Sequence, residues 1–197
     1  MIFNGHICVQ YVFNHQFVTL TCDSTDTIES KIVIGKSCCG VSSIGIEPVL
    51  ADPQVFRQGC EDVYAMYERE SFDVVVTTKL SGTVFATVLA QRMGKGLVIV
   101  TCPGQNKDGF VIEEIDGNRG KFAVGMREGM IKEGQRVVIV VDSLSKLSDV
   151  KGAISMVERQ GASVVKITGF VDDTDQRTRD TLFGGYPIES RIRKEDL

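Results

Sequence analysis

Histidine is scarce in this sequence of 197 residues, which contains only His6 and His15, both in the amino-terminal segment. Histidine is the commonest metal ligand in proteins and the side chain that most readily exchanges protons near neutral pH. A histidine-based catalytic site or metal centre is therefore not expected.

Zinc-like cysteine spacing is also absent. None of the six cysteines forms the paired pattern of a zinc centre, and Cys38 and Cys39 are adjacent, which is poor geometry for a mutual disulfide. We expect reduced thiols and no structural metal.

Long apolar runs and an excess of positive charge are missing as well. No apolar run approaches the roughly 20 residues that span a bilayer, and the first residues lack the basic start and apolar block of a signal peptide. The net charge of −4 argues against general nucleic-acid binding, which needs a concentrated positive field. We expect a cytoplasmic protein with no membrane partner and no nucleic-acid partner.

The strongest structural signal lies between Arg136 and Ala162. Val137 to Val141 is an unbroken β-branched run, typical of a central strand in a parallel sheet that is covered on both faces. The following helix ends at Gly161 and has its apolar positions four and three residues apart: Val150, Ile154 and Val157.

The rest of the chain continues this alternation. Strands are predicted at 72–77, 96–101, 163–171 and 186–192, with helices beginning after Asp52 and after Gly82. This order predicts an α/β fold with a parallel sheet flanked by helices. Turn signals between Gly109 and Arg127 predict a hairpin or a mobile flap beside the site. The charged tract 172–180 is predicted to be a solvated loop, with a binding segment as the alternative.

The chain divides into two predicted parts. Residues 1–40 alternate apolar and polar residues in short runs, which favours a small β-rich cap. Residues 41–197 form the predicted α/β domain.

Turns after the buried strands are the candidate sites, because ligands of open parallel sheets bind beyond the carboxyl ends of the strands. A short polar turn, Lys79, Leu80, Ser81 and Gly82, follows the first strand of the sheet. The loop after the central strand contains no glycine and consists of Asp142, Ser143, Leu144, Ser145, Lys146, Leu147, Ser148 and Asp149.

Several segments between residues 40 and 192 resemble the type I phosphoribosyltransferases, and among them the adenine phosphoribosyltransferases. Residues 45–57 resemble the segment PGIxFxDIxPLLxDPxxFR, residues 82–96 resemble GFxxGxxLAxxLGK, and residues 134–162 resemble the unit PGDRVVVVDDLLATGGTA. The turn at 102–104 and residues 182–187 resemble the RKPGK and LGGKP motifs. The resemblance implies the family's fold, and transfer of a ribosyl phosphate from phosphoribosyl pyrophosphate to a purine with magnesium on the pyrophosphate.

The phosphate-binding loop departs from the family pattern of two acids followed by TGGT. Val141 takes the place of the first acid, and Asp142 keeps the second. Leu147 and Ser148 replace the glycines, and a left-handed backbone there would cost roughly 1 kcal/mol or more for each residue. Asp149 places a carboxylate where the family's last threonine faces phosphate, and like charges repel strongly in a shielded site.

The pyrophosphate side has also lost positive charge. Ser81 precedes Gly82 where the family has a basic residue, and Thr101 and Cys102 replace the RK of RKPGK. Lys79 is a nearby cation that can restore part of this charge.

Two hypotheses follow from the resemblance and the departures. The leading one is an adenine phosphoribosyltransferase-like protein that has lost catalysis and acts as a binding, regulatory or assembly partner, with a nucleotide or phosphate ligand. The alternative is an active purine phosphoribosyltransferase, for which Asp142 is the candidate catalytic residue and Mg²⁺ the only cofactor. The family implies a homodimer, or a heteromer with an active relative.

Structural roles compete with these functional ones. Asp142 is equally well explained as a turn-capping residue, and Lys146 and Asp149 as an ion pair across one helical turn. Cys102 is expected to be a buried, inert thiol.

Overall fold

The computed structural model describes nine backbone segments: residues 2–3, 6–13, 16–21, 27–36, 42–78, 80–104, 107–117, 120–144 and 147–193. The candidate positions Lys79, Ser145 and Lys146 lie outside these segments. For Leu80, Ser81 and Leu147 only the backbone is described. Within the segments, none of the helices combines the length and apolar character that crossing a membrane demands.

Short strands occupy the amino-terminal part of the chain, as its alternating pattern predicts. Strands β1 (Ile2–Phe3), β2 (His6–Phe13) and β3 (Gln16–Thr21) form an antiparallel sheet in that order. A single 3₁₀ turn at Glu29–Lys31 then leads into the antiparallel pair β4 (Val33–Lys36) and β5 (Ser42–Gly45). This pair crosses the predicted boundary between residues 40 and 41, and the division into two parts stays a prediction.

Two helices follow: α1 (Glu47–Ala51) and α2 (Pro53–Ala65). The predicted cap of α2 is confirmed, because the Asp52 carboxylate accepts hydrogen bonds from the backbone N–H groups of Gln54 and Val55 at 3.0 and 3.1 Å. Lys31 also donates to this carboxylate at 2.6 Å. The lysine hydrogen bond, with help from the two N–H groups, lowers the pKa of Asp52.

The chain then runs through β6 (Val74–Thr78), α3 (Leu80–Met93), β7 (Gly96–Val100), β8 (Phe110–Gly117), β9 (Gly120–Arg127), β10 (Arg136–Ser143), α4 (Leu147–Arg159), β11 (Ser163–Asp172), α5 (Gln176–Phe183) and β12 (Ile188–Arg193). Five of these strands form a parallel sheet in the order β12-β11-β10-β6-β7, which confirms the predicted α/β fold. Strands β8 and β9 form an antiparallel hairpin, as predicted.

Strand β10 lies in the middle of the sheet and divides two hydrophobic clusters by its alternating side chains. Val137, Ile139 and Val141 belong to the cluster under α4 and the hairpin. Val138 and Val140 belong to the cluster under α2 and α3. Both faces of the strand are therefore covered, which confirms the prediction made from its unbroken β-branched run.

The charged tract 172–180 was predicted to be a solvated loop, and this prediction is wrong. Asp172 is the last residue of β11, fully buried and paired with Arg179 at 2.8 Å. Asp175 caps α5 by accepting a hydrogen bond from the Thr178 N–H. The charges that suggested solvent exposure instead neutralise one another and begin a helix.

The turn predicted at residues 79–82 is also different in the structure. Helix α3 begins at Leu80, so Leu80, Ser81 and Gly82 form its first turn. The prediction placed the helix start too late because glycine is a poor helix former, which favours a turn at Gly82 over a helix.

Candidate functional site

The carboxyl ends of β6 and β10 form a topological switch point in the sheet. The two strands are neighbours, yet the helices that follow them pack on opposite faces, α3 on the α2 side and α4 on the hairpin side. Helices that diverge in this way leave a crevice between the strand ends, where open α/β sheets bind their ligands. The described residues of both predicted turns lie at these strand ends.

Gly82 lies directly against the end of β10. A Cβ atom on Gly82 would stand 3.0 Å from the Asp142 nitrogen, 3.1 Å from the Val141 Cα and 3.0 Å from Thr77 Oγ1. Two of these three atoms belong to backbone that cannot easily yield. The glycine therefore lets the first turn of α3 approach Asp142, which brings two predicted site residues together.

Two threonines at the end of β6 were missed by sequence reasoning. Thr77 is fully buried and Thr78 is 4% exposed, so both hydroxyl-bearing side chains are enclosed at the crevice. The only hydrogen bond of the Thr77 hydroxyl among the described residues is a long one of 3.5 Å to the Thr78 carbonyl oxygen. The signal that could have found them is a pair of hydroxyl side chains ending an otherwise apolar run.

The predicted loop 142–149 starts too early, because Asp142 and Ser143 are the last two residues of β10. Asp142 is half-buried, and the chain then turns into the core. Ser143 is 9% exposed, and the side chain of Leu144 is fully buried in the cluster under α4. Leu144 packs over Gly169, where a Cβ atom would come within 2.6 Å of its Cγ. Leu144 was predicted as part of the ligand loop, but its side chain is part of the core, because a large apolar side chain gains by burial.

Helix α4 begins at Leu147, and Asp149 lies in its first turn with 4% exposure, while Ser148 is half-buried. A negative charge in the first turn of a helix is favourable, since the helix dipole places partial positive charge there. The carboxylate thus occupies the end of α4 that would otherwise attract an external anion.

Thr101 and Cys102 follow β7 at the same edge of the sheet. The Thr101 backbone exchanges two hydrogen bonds with Gly125 of β9, at 2.7 and 2.8 Å, so it joins the hairpin to the sheet. Cys102 is exposed, and the prediction that it is buried is wrong. The strand ends at Val100, so Cys102 lies two residues beyond the sheet.

A cavity of about 420 Å³ lies between β8 and the first half of α4. Its lining includes six polar side chains: Glu113, Glu114 and Asp116 from the hairpin, and Ser148, Lys151 and Ser155 from α4. Because Ser148 also belongs to the predicted phosphate loop, the cavity adjoins the crevice. Of these residues the sequence predicted only Ser148 as a site position, although the spacing of four between Lys151 and Ser155 indicates one helix face.

Several known proteins are similar to this chain over most of its length. It is 33% identical to the adenine phosphoribosyltransferase of Ruminiclostridium cellulolyticum over 155 residues, which cover 78% of this chain and 90% of that protein. It is 32% identical to the corresponding protein of Acetivibrio thermocellus, with the same coverage. No family model matches the sequence.

Solved structures show the same similarity in three dimensions. The adenine phosphoribosyltransferase of Thermoanaerobacter pseudethanolicus superposes with a TM-score of 0.76 at 29% identity, covering 84% of this chain and 97% of that one. The enzyme of Giardia lamblia superposes with a TM-score of 0.77 at 16% identity, covering 86% and 99%, and supports the fold alone.

Proposed function

Since the chain belongs to the adenine phosphoribosyltransferase family, we propose that it is a purine phosphoribosyltransferase, which makes a nucleoside monophosphate from a nucleobase and phosphoribosyl pyrophosphate. The observation that carries the proposal is the position of Asp142, the acid kept from the family's loop, beside Gly82 at the switch point. A carboxylate and the beginning of α3 are the two elements that a phosphorylated sugar needs in such a crevice.

Asp142 has a definite task in this proposal. Its carboxylate accepts hydrogen bonds from the ribose hydroxyls and stabilises the positive charge that develops on the sugar as the bond to pyrophosphate breaks. The backbone N–H groups at the beginning of α3 donate to phosphate oxygens. The base nitrogen then forms the new bond to the anomeric carbon, and pyrophosphate leaves.

The family reaction uses Mg²⁺, and the donor set of this site suits it. Mg²⁺ is usually held by one or two carboxylates together with substrate phosphates and water. Asp142 supplies one carboxylate, and the described residues hold no cluster of three acidic, histidine or cysteine side chains that would bind a metal by itself. The ion would therefore arrive with the substrate and neutralise charge on the leaving pyrophosphate.

A second candidate function is favoured by the start of α4. With Leu147 and Ser148 at the glycine positions and the Asp149 carboxylate buried in the first turn, phosphate would meet both bulk and like charge. On this hypothesis the protein is a catalytically inactive relative that binds a nucleotide or phosphate weakly and acts as a regulatory or assembly partner.

One assay separates the two functions. Purified protein is supplied with adenine, phosphoribosyl pyrophosphate and Mg²⁺, and AMP is measured. The transferase hypothesis expects AMP formation that is reduced at least a hundredfold by Asp142→Asn and is unchanged by Asp180→Asn, an exposed aspartate of α5. Absence of any nucleoside monophosphate with adenine, guanine or hypoxanthine as the acceptor (AMP, GMP or IMP, respectively) would reject it.

Restoring the family's loop supplies the complementary test. The variant Leu147→Gly/Ser148→Gly/Asp149→Thr removes the two side chains and the carboxylate. If the native protein is inactive and this variant gains binding of phosphoribosyl pyrophosphate by calorimetry, the loop is the cause of the loss and the second hypothesis stands. Equal binding by both proteins would contradict it.

We also propose that the protein associates, as a homodimer or as a heteromer with an active relative. Light scattering would give a mass of about twice the 21.6 kDa of one chain for the homodimer. A monomeric mass at micromolar concentration, together with no retention of a catalytic relative, would reject both forms.

A further inference from the structure

Asp172, the last residue of β11, is the only fully buried carboxylate among the residues that the structure describes. Its Oδ1 atom accepts hydrogen bonds from the Thr174 backbone N–H at 2.9 Å and from the Thr174 hydroxyl at 2.5 Å. Its Oδ2 atom lies 2.8 Å from the guanidinium of Arg179. A charge is costly to bury unless it is paired and hydrogen-bonded, and this carboxylate is both.

Arg179 of α5 also contacts the turn that ends β11. Its side chain is 15% exposed, and it donates to the Thr174 hydroxyl at 3.2 Å and to the Thr174 carbonyl oxygen at 3.4 Å. The hydrogen bond from the Thr174 N–H back to Asp172 closes an Asx turn at the same place. One guanidinium thus joins α5 to both the carboxylate and the turn.

The end of β11 supports the chain that leaves β10. Ser143, the last residue of β10, is the register partner of Val171. The next residue, Leu144, donates its backbone N–H to the Val171 carbonyl oxygen at 3.0 Å. Val171 directly precedes the buried carboxylate, and Asp142 directly precedes Ser143. The backbone that carries Asp142 is therefore bonded to the strand end that the buried ion pair holds.

Geometry is a better reason than stability for an ion pair at this position. Replacing a buried ion pair by apolar side chains of similar volume is often neutral or stabilising, because both charges must be removed from water. Charge-assisted hydrogen bonds are strong and directional, however. The donors around Asp172 come from the turn after β11, from α5 and, at 3.5 Å, from the Ser190 hydroxyl of β12. Together they fix this strand end relative to its neighbours.

We propose that Asp172 and Arg179 are positioning residues that fix the carboxyl end of β11 and thereby hold Asp142 in the place where it meets the ribose of its substrate. The fixed strand end is independent of any reaction, whereas its effect on substrate rests on the proposed function. A misplacement of about 1 Å, caused by a mutation away from the reacting atoms, can cost a hundredfold in rate.

Hydrogen exchange of the Leu144 amide, measured by NMR, tests the fixed strand end directly. Arg179→Met should accelerate this exchange at least tenfold relative to the amides of Val75 and Val76 in β6. Arg179→Lys keeps the positive charge and should restore most of the protection. The double variant Asp172→Asn/Arg179→Met leaves no unpaired charge in the core, so it should fold even where Arg179→Met does not, and it should also accelerate Leu144.

The matched control is Arg191→Met. Arg191 is another arginine of the carboxyl-terminal part with two carboxylate partners, Asp62 of α2 and Glu29. Neither partner lies at the end of β11, so this variant should leave the exchange of Leu144 relative to β6 unchanged. Unchanged exchange of Leu144 in the double variant, or acceleration shared equally by β6, would overturn the fixed strand end.

Kinetics distinguish a positioning role from a purely structural one. In an active protein, the double variant should raise the KM for phosphoribosyl pyrophosphate at least fivefold with a smaller change in kcat, Arg179→Lys should remain within twofold of the native protein, and Arg191→Met should match it. A native KM in a variant with accelerated Leu144 exchange would overturn the positioning role. If the native protein makes no nucleotide, the proposed function fails and the positioning role with it, while the exchange of Leu144 still decides whether the pair holds the strand end.

Discussion

The amide nitrogen of Asp142 lies 3.0 Å from the place that a Cβ atom on Gly82 would occupy. The first turn of α3 and the end of β10 are thus in contact through backbone alone. Any side chain at position 82 must push apart the two elements that form the crevice.

Gly82→Ala is therefore expected to damage the site more than the fold. Overpacking costs roughly 1–3 kcal/mol, while alanine returns about 0.5–1 kcal/mol through its better helix propensity. We expect a fall in the melting temperature of a few degrees and at least a tenfold loss of affinity for phosphoribosyl pyrophosphate, measured by calorimetry.

Gly96→Ala serves as the control for that variant, since the added methyl group meets open space. Equal affinities for Gly82→Ala and the native protein would show that the close approach of α3 to Asp142 has no bearing on ligand binding.

Local patterns in the sequence were sufficient to predict the parallel sheet. The β-branched run of β10 and the cap formed by Asp52 depend on residues close in sequence, and both were predicted correctly. The hairpin was also predicted, from its turn residues. The parallel arrangement followed from the alternation of strands and helices, which right-handed crossovers link, whereas the order of the strands was not predicted.

Features that depend on distant partners could not be predicted in this way. Asp172 looks like a solvent-exposed acid until Arg179 is brought beside it by α5. Leu144 looks like a loop residue in the sequence, but its side chain is buried in the space that Gly169 of the neighbouring strand leaves for it. Gly152 looks like an unfavourable helix residue, and only the close packing of the hairpin against the helix explains why a glycine is present there.

Tyr67 and Thr168 provide a test of the buried polar core. The Tyr67 hydroxyl donates a 2.6 Å hydrogen bond to Thr168 Oγ1, both side chains are fully buried, and burial raises the pKa of Tyr67 far above its ordinary value. Tyr67→Phe leaves Thr168 without this partner and should lower the free energy of unfolding by about 1–3 kcal/mol in urea.

The double variant Tyr67→Phe/Thr168→Val removes both polar groups and should recover part of that loss. Tyr64→Phe is the control, because it keeps the ring that packs under Arg92 at 4.0 Å. A single Tyr67→Phe variant as stable as the control would contradict the role of this hydrogen bond.

Cysteine reactivity should differ sharply between the two described thiols. Burial raises the pKa of Cys60 to about 11, with a smaller contribution from the negative charge of Glu61, whereas Cys102 is exposed. Thiolates are the reactive form. At pH 8, iodoacetamide should modify Cys102 within minutes and leave Cys60 unmodified until the protein is unfolded. Peptide mass spectrometry follows the labelling of each cysteine. Rapid labelling of Cys60 in the native protein would contradict its burial.

Tyr186 should make stability depend on alkaline pH. Its hydroxyl donates a 2.5 Å hydrogen bond to Glu158 Oε1, and this bond, followed by burial, raises the pKa of Tyr186 from about 10 to about 12. The folded state thus favours the neutral phenol, so the stabilisation is fully present below pH 10 and is lost as pH rises from 10 to 12. In urea titrations, the native protein should be more stable than Tyr186→Phe by a constant amount from pH 7 to pH 9, and the difference should shrink above pH 10. The variant Glu158→Gln keeps a hydrogen-bond acceptor without the charge, so its stability should depend less on pH in the same range. If the stability difference between the native protein and Tyr186→Phe is independent of pH up to 11.5, Glu158 does not hold the Tyr186 proton.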